Sequence, residues 1–161
     1  MTMLDGTMEE FKIYIDRLKG GQTERIDGSF DQAFLEIQEP ELRFPNPIKV
    51  SGAAYLTDDH LIVNLTAFTI AEMPCAVCNE MIQTPIATKD FYHAEPLSDI
   101  PTAVFDLSAP LREALLIEVP RTVECNSGKC PSREILQPFM RAEKRLEKTD
   151  YFPFSNIDLN N

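Results

Sequence analysis

The chain has 161 residues, enough for one domain with or without a small appendage, and long enough to bury a substantial core. Its composition, 43% apolar and 25% charged, is that of a globular protein, and no run approaches the ~18 apolar residues of a membrane span. A formal charge of −11 excludes a protein that binds nucleic acid over its whole surface, because a polyanion would be repelled at long range.

The opening, MTMLDGTMEEFKI, is acidic and lacks the basic region and apolar run of a signal peptide. We therefore expect a cytoplasmic protein with residues 1–7 as a disordered leader, 8–148 as a single domain and 149–161 as a tail. In EFKIYIDRLK, apolar Phe11, Ile13 and Ile15 alternate with Lys12, Tyr14 and Asp16, the period of a half-buried strand. Gly20–Gly21 ends that strand, and QTERIDGSF predicts a second, more polar one. DQAFLEIQEPELRF is ambiguous; Pro40, Pro45 and Pro47 exclude a long helix and imply an extended connection.

The segment IKVSGAAYLTDDHLIVNLTAFTIAEMPC predicts a hairpin turning at TDDH. Its returning strand points Leu61, Val63, Leu65 and Ala67 to one side and Ile62, Asn64, Thr66 and Phe68 to the other. Antiparallel order then carries the chain through CAVCNEM into the strand IQTPIATKDFYH, which puts Cys75 and Cys78 at a hairpin tip. Farther on the period changes. Leu107, Leu111, Ala114 and Leu115 recur at helical spacing, with Asp106 or Ser108 to cap the start, Pro110 in the first turn and Pro120 as the stop. A loop with Cys125 and Cys130 follows, then a helical stretch, PSREILQPFMRAEKRLEK, that Pro138 kinks or divides. In the tail, Phe152 and Phe154 either pack on the domain or form a short partner-docking segment. These elements make an α+β fold: an antiparallel sheet or meander packed with one or two helices and a cysteine-stapled loop.

Cys75, Cys78, Cys125 and Cys130 are the four cysteines of the chain. In a reducing compartment, paired cysteines are better explained by metal ligation than by disulfides. C-x2-C is the spacing of a metal knuckle, and Gly128 lets the C-x4-C loop bend until its ends converge. Four thiolates would close a structural Zn2+ site, leaving no position for a reacting water. Lys129 beside the site would partly offset its negative charge. The alternatives are a disulfide, buried thiols without metal, or thioredoxin-like redox chemistry, although the latter requires a βαβ setting that the antiparallel flanks do not offer.

Nothing else in the chain reads as catalytic, and we expect no enzyme: there is no P-loop, dinucleotide fingerprint, zinc-protease motif or nucleophile elbow. His60 and His93 read as surface histidines, and Asp58–Asp59 as turn chemistry. Charge is uneven. From Arg121 to Lys148 seven basic residues (Arg121, Lys129, Arg133, Arg141, Lys144, Arg145, Lys148) face four acidic ones, a local excess of +3 against −14 elsewhere. RNA phosphates or another partner would be met here; a solvated helix of mixed charge explains the same residues.

Placed between a CxxC-bearing hairpin and a second cysteine loop, FDLSAPLREALLIEVPR (Phe105 to Arg121) resembles the YceD-like family, the large ribosomal RNA subunit accumulation proteins. Asp106, Leu107, Arg112, Glu113, Leu115, Leu116 and Pro120 match the family's Asp-Leu opening, charged helix centre, Leu-Leu pair and closing proline. Cys75 and Cys78 match its first cysteine pair, and Cys125 and Cys130 the second pair of many members. The chain departs from the pattern at Ala76–Val77, where many members carry an arginine. The resemblance implies a non-enzymatic role in large-subunit rRNA accumulation and ribosome biogenesis. It also implies rRNA, ribosomal proteins or assembly factors as partners, rather than a membrane or a small-molecule substrate. A protein-interaction module unrelated to ribosomes is the competing expectation.

Overall fold

Two long runs of period-2 alternation build the main sheet. The computed structural model of the chain describes residues 11–140. Its elements run β1 (Lys12–Tyr14), α1 (Ile15–Leu18), β2 (Thr23–Phe30), a 3-10 turn (Gln32–Leu35), β3 (Ile48–Leu56), β4 (His60–Pro74) and β5 (Met81–Pro96). A second 3-10 turn (Leu97–Asp99), β6 (Val104–Asp106), α2 (Ser108–Ile117) and α3 (Arg133–Met140) follow. The architecture is mixed α+β, as the periodicities imply: a four-stranded antiparallel sheet in the order β2-β3-β4-β5, and a two-stranded antiparallel pair, β1-β6.

One face of the large sheet is buried and the other open. Register pairs Val50 with Ala67, Ala54 with Val63, and Leu65 with Phe91 on the covered side. On the other side it pairs Lys49 with Phe68, Ser51 with Thr66, and Asn64 with Tyr92. Helix α2 belongs to the covered face. Leu111 and Leu115, one turn apart, and Leu107 just before the helix are all fully buried in the same core as Val63 and Leu65. Each such side chain contributes about 1.5–3 kcal/mol on leaving water. Asp106 opens α2, its Oδ1 accepting the Ser108 N–H at 2.9 Å and the Ser108 hydroxyl at 2.6 Å. Arg112 extends from α2 to donate from Nε to the Leu35 carbonyl at 2.7 Å, tying the first 3-10 turn to the helix.

The amino-terminal strand is shorter than the alternation implies and lies elsewhere. Only Lys12–Tyr14 is extended, and it pairs with β6 rather than joining the large sheet. Phe11, Ile13 and Ile15 are all buried, but Ile15 and Leu18 share an i, i+3 spacing, and a helical turn buries both. β6 itself sits in the run read as the approach to α2, and three residues are too few to show a period. β4 and β5, with 15 and 16 residues, outrun their partners, so the far end of their hairpin extends past β2 and β3. Arg43 braces it there, exchanging two backbone hydrogen bonds with Glu72 at 3.1 and 2.7 Å.

Candidate metal centre

The β4–β5 connection begins at Cys75, directly after β4, and closes before Met81. This is the hairpin tip that the sequence assigns to the first cysteine pair. The Cys75 N–H donates to the Glu80 carbonyl at 2.7 Å, and the Asn79 N–H donates to the Cys75 carbonyl at 2.9 Å. Asn79 turns the chain with a φ of 64°, a left-handed conformation that asparagine accepts more readily than most residues. Within this knuckle the Val77 N–H points at Cys75 Sγ, 3.4 Å away.

The second loop docks on the first through the backbone. Val123 forms a parallel bridge with Cys75, and the Ala76 N–H donates to the Val123 carbonyl at 2.8 Å. Two residues later the Cys125 N–H reaches Cys75 Sγ at 3.4 Å. Cys125–Gly128 is then a tight left-handed turn, with φ values of 52° at Asn126, 54° at Ser127 and 87° at Gly128. Left-handed backbone costs most non-glycine residues about 1–2 kcal/mol and asparagine less, so Ser127 above all holds conformational strain at the point that folds Cys130 back beside Cys125.

Glu124 locks this turn. Its Oε1 accepts the Cys130 N–H at 2.9 Å and Arg133 Nε at 2.6 Å, while Oε2 accepts Arg133 Nη2 at 2.6 Å. The Arg133 guanidinium, then the Cys130 N–H, hold the Glu124 carboxyl down at a pKa of about 2.

The four sulfur atoms converge within 4.8 Å of one another. Cys78 Sγ and Cys125 Sγ are 3.8 Å apart, all four thiols are free, and Cys75 and Cys130 are only 2% and 3% exposed. A tetrahedral ion with metal–sulfur bonds of ~2.3 Å requires sulfur–sulfur edges of ~3.8 Å, so this cluster can hold one metal ion after small side-chain adjustments. Its electrostatics favour a cation. Cys75 is drawn down to a pKa of about 6, first by the Cys78 N–H and then by the Cys125 N–H. Its neighbours go the other way. The Glu80 N–H favours the Cys78 thiolate, but burial and the adjacent Cys75 and Cys130 sulfurs outweigh it. Cys125 is pushed well up by the Cys130 sulfur, by burial and by Cys78 and Cys75. The fold supplies one ready thiolate, and the crowding that opposes further ionisation is what a bound cation would relieve.

Of the basic residues singled out in the sequence, Arg121 and Lys129 are exposed and Arg133 is taken up by Glu124. Arg141, Lys144, Arg145 and Lys148, like the leader and the tail, lie outside the described residues. His93 is a correction: it is half-buried, stacked between Phe91 and Phe105, and its Nε2 lies 2.8 Å from Glu95 Oε2. The expectation failed because it took His93 for a strand end, whereas β5 continues to Pro96. Glu124 was missed as a support, having no spacing signal; Asn79 and the Asn126–Ser127 pair did carry one, as turn-forming types beside cysteines. Comparison with protein families, curated proteins and solved structures finds no match. Among the described residues no helix is long and apolar enough to cross a membrane.

Proposed function

We propose that this chain is a non-enzymatic binding protein built around a structural Zn2+ held by Cys75, Cys78, Cys125 and Cys130, and that it serves large-subunit rRNA accumulation in ribosome biogenesis. The convergence of four sulfurs within 4.8 Å, from two loops far apart in sequence, carries the metal part of the reading. An all-thiolate set suits zinc, and four protein ligands leave no open position for substrate or water. The metal's role is to fix the two loops against each other. The ribosomal part rests on the resemblance of Phe105–Arg121 and the cysteine order to the YceD-like family, with rRNA or a ribosomal protein as partner through the basic stretch from Arg121 to Lys148.

The test has two arms. Protein purified without chelator should carry about one zinc per chain, and the Cys75→Ser/Cys125→Ser variant should carry none; a metal-free, correctly folded wild type would remove the zinc centre. Wild type should co-sediment with large-subunit precursors, and Arg141→Glu/Lys144→Glu/Arg145→Glu should not. Unchanged sedimentation of that variant would remove the basic-stretch contact. A second reading, a protein-interaction module unrelated to ribosomes, is favoured by the exposed apolar side chains of Ile135, Leu136 and Phe139 on α3. A partner captured in the absence of ribosomes and lost in Ile135→Asp/Phe139→Asp would support it.

A further inference from the structure

We infer that the open face of the four-stranded sheet binds single-stranded RNA, with Phe68 as the stacking residue and Lys49 and Lys89 as the phosphate contacts. This rests on the proposed RNA partnership and assigns it a surface other than the basic stretch. Phe68 is 43% exposed and Tyr92 62% exposed, on the face turned away from the core. Large aromatic side chains on a solvated sheet face bury little in the monomer, and they offer flat apolar surface to a base.

Their surroundings specify the ligand. Lys49, Phe68 and Ala87 form one row across β3, β4 and β5. A depression of about 450 Å³ lies beside that row, lined by Lys49, Phe68 and Lys89 together with Ser29, Ser51 and Thr66. Asp27, also on its wall, pairs with Arg25 at 3.0 Å. Among the described residues, Lys49 and Lys89 enter no salt bridge. In a chain of net charge −11, two lysines outside these salt bridges thus lie on either side of an exposed ring. Ammonium, hydroxyl and aromatic groups correspond to phosphate, sugar and base. A purely apolar partner would leave the lysines and hydroxyls dehydrated without partners, and a basic peptide would meet like charge. A duplex hides its bases within the stack, which makes the unpaired strand the better fit.

The test uses the whole 161-residue chain, loaded with zinc, and a fluorescein-labelled 12-nucleotide oligouridylate, read by fluorescence anisotropy. Wild type should bind with a salt slope that includes about −1.4 from two phosphate contacts. Phe68→Ala should weaken binding about 5-fold or more, Tyr92→Ala should weaken it too, and Phe68→Tyr, which keeps a stacking ring, should bind as wild type. Lys49→Glu/Lys89→Glu should abolish binding, whereas Lys19→Glu should leave it unchanged. These side chains are exposed, so unaltered thermal melts should accompany the losses. Oligonucleotide binding indifferent to Phe68→Ala and Lys49→Glu/Lys89→Glu overturns the inference and places RNA elsewhere. Equal competition by polyglutamate overturns it as well, since the face would then be a general anion site. If no oligonucleotide binds but the protein co-sediments with large-subunit precursors, the inference fails and the ribosomal reading stands. Absence of both removes the two together.

Discussion

Cys75 shows how little is needed to ready a thiol for a cation. Buried and next to three other sulfurs, it would by crowding alone resist ionisation, yet backbone N–H groups from both loops turn toward it and hold its pKa at about 6. The donors come from Cys78 and Val77 in its own knuckle and from Cys125 across the junction, so docking of the second loop is part of what ionises it. The sign of the effect is fixed. A thiol pKa lowered by folding favours the folded state above the unfolded value of ~8.5, and that contribution is lost as pH falls through about 6. At pH 7.5 the metal-free protein already carries the Cys75 thiolate, so zinc binding should release fewer than the four protons expected of four ordinary thiols. At pH 5 Cys75 is protonated, and the count should rise by about one. Calorimetry in buffers of different ionisation enthalpy measures this; a count that stays the same at the two pH values would mean that Cys75 is an ordinary thiol.

Among the elements, β3 and β4 set a constraint that their alternation only half reveals. Gly52 lies opposite Leu65, and a Cβ built there would collide with the Asn64 carbonyl oxygen and with Leu65 Cβ. Those atoms belong to the central strand and cannot move without dislocating the ladder. Gly28, at a similar place in the β2–β3 ladder, would put its Cβ 3.9 Å from the nearest Phe30 ring carbon, an ordinary contact. Gly52→Ala should therefore cost about 1–3 kcal/mol in urea unfolding, and Gly28→Ala should be neutral or stabilising by about 0.4–1 kcal/mol. Equal effects would mean that the close approach at Gly52 is relieved by a small shift. The long strands were legible because one face is buried and the other wet, which imposes period two from Val63 to the end of β4; Ile62, buried although it points to the other face, breaks it at the start. β1 and β6, at three residues each, are held by their pairing rather than by a pattern of their own. The cysteine spacings showed a knuckle and a convergent loop. Their meeting rests on the Val123–Cys75 bridge and on Glu124 gripping Arg133, contacts between groups that carry no mark in one dimension.

At the scale of the molecule, the apolar core and the sulfur cluster are separate. The core runs from Phe11 and Ile13 through Val63, Leu65 and Phe91 to Leu111 and Leu115, and contains none of the four cysteines. Cys75 and Cys78 lie past the last β3 partner of β4, at the tip of the β4–β5 arm, and the loop carrying Cys125 and Cys130 docks on them there. Small zinc domains unfold when the metal is removed because the metal stands in for a core. Here the core is present, and removing metal should open one end. The opening should be cooperative over residues that share the junction, since the Ala76 N–H is tied to the Val123 carbonyl across the two loops, next to the Cys75–Glu80 and Asn79–Cys75 backbone hydrogen bonds that close the knuckle. Native-state hydrogen exchange measures this directly. After chelation, the amides of Cys75, Ala76, Asn79, Cys130 and Arg133 should lose protection together, while those of Leu61, Val63 and Leu65 keep theirs. A uniform loss across β4, reaching Leu61 as readily as Ala76, would mean that the metal holds the whole sheet and that the arm is not an independent unit. Retained protection at Ala76 would mean that Glu124, Arg133 and the Val123 bridge hold the junction unaided.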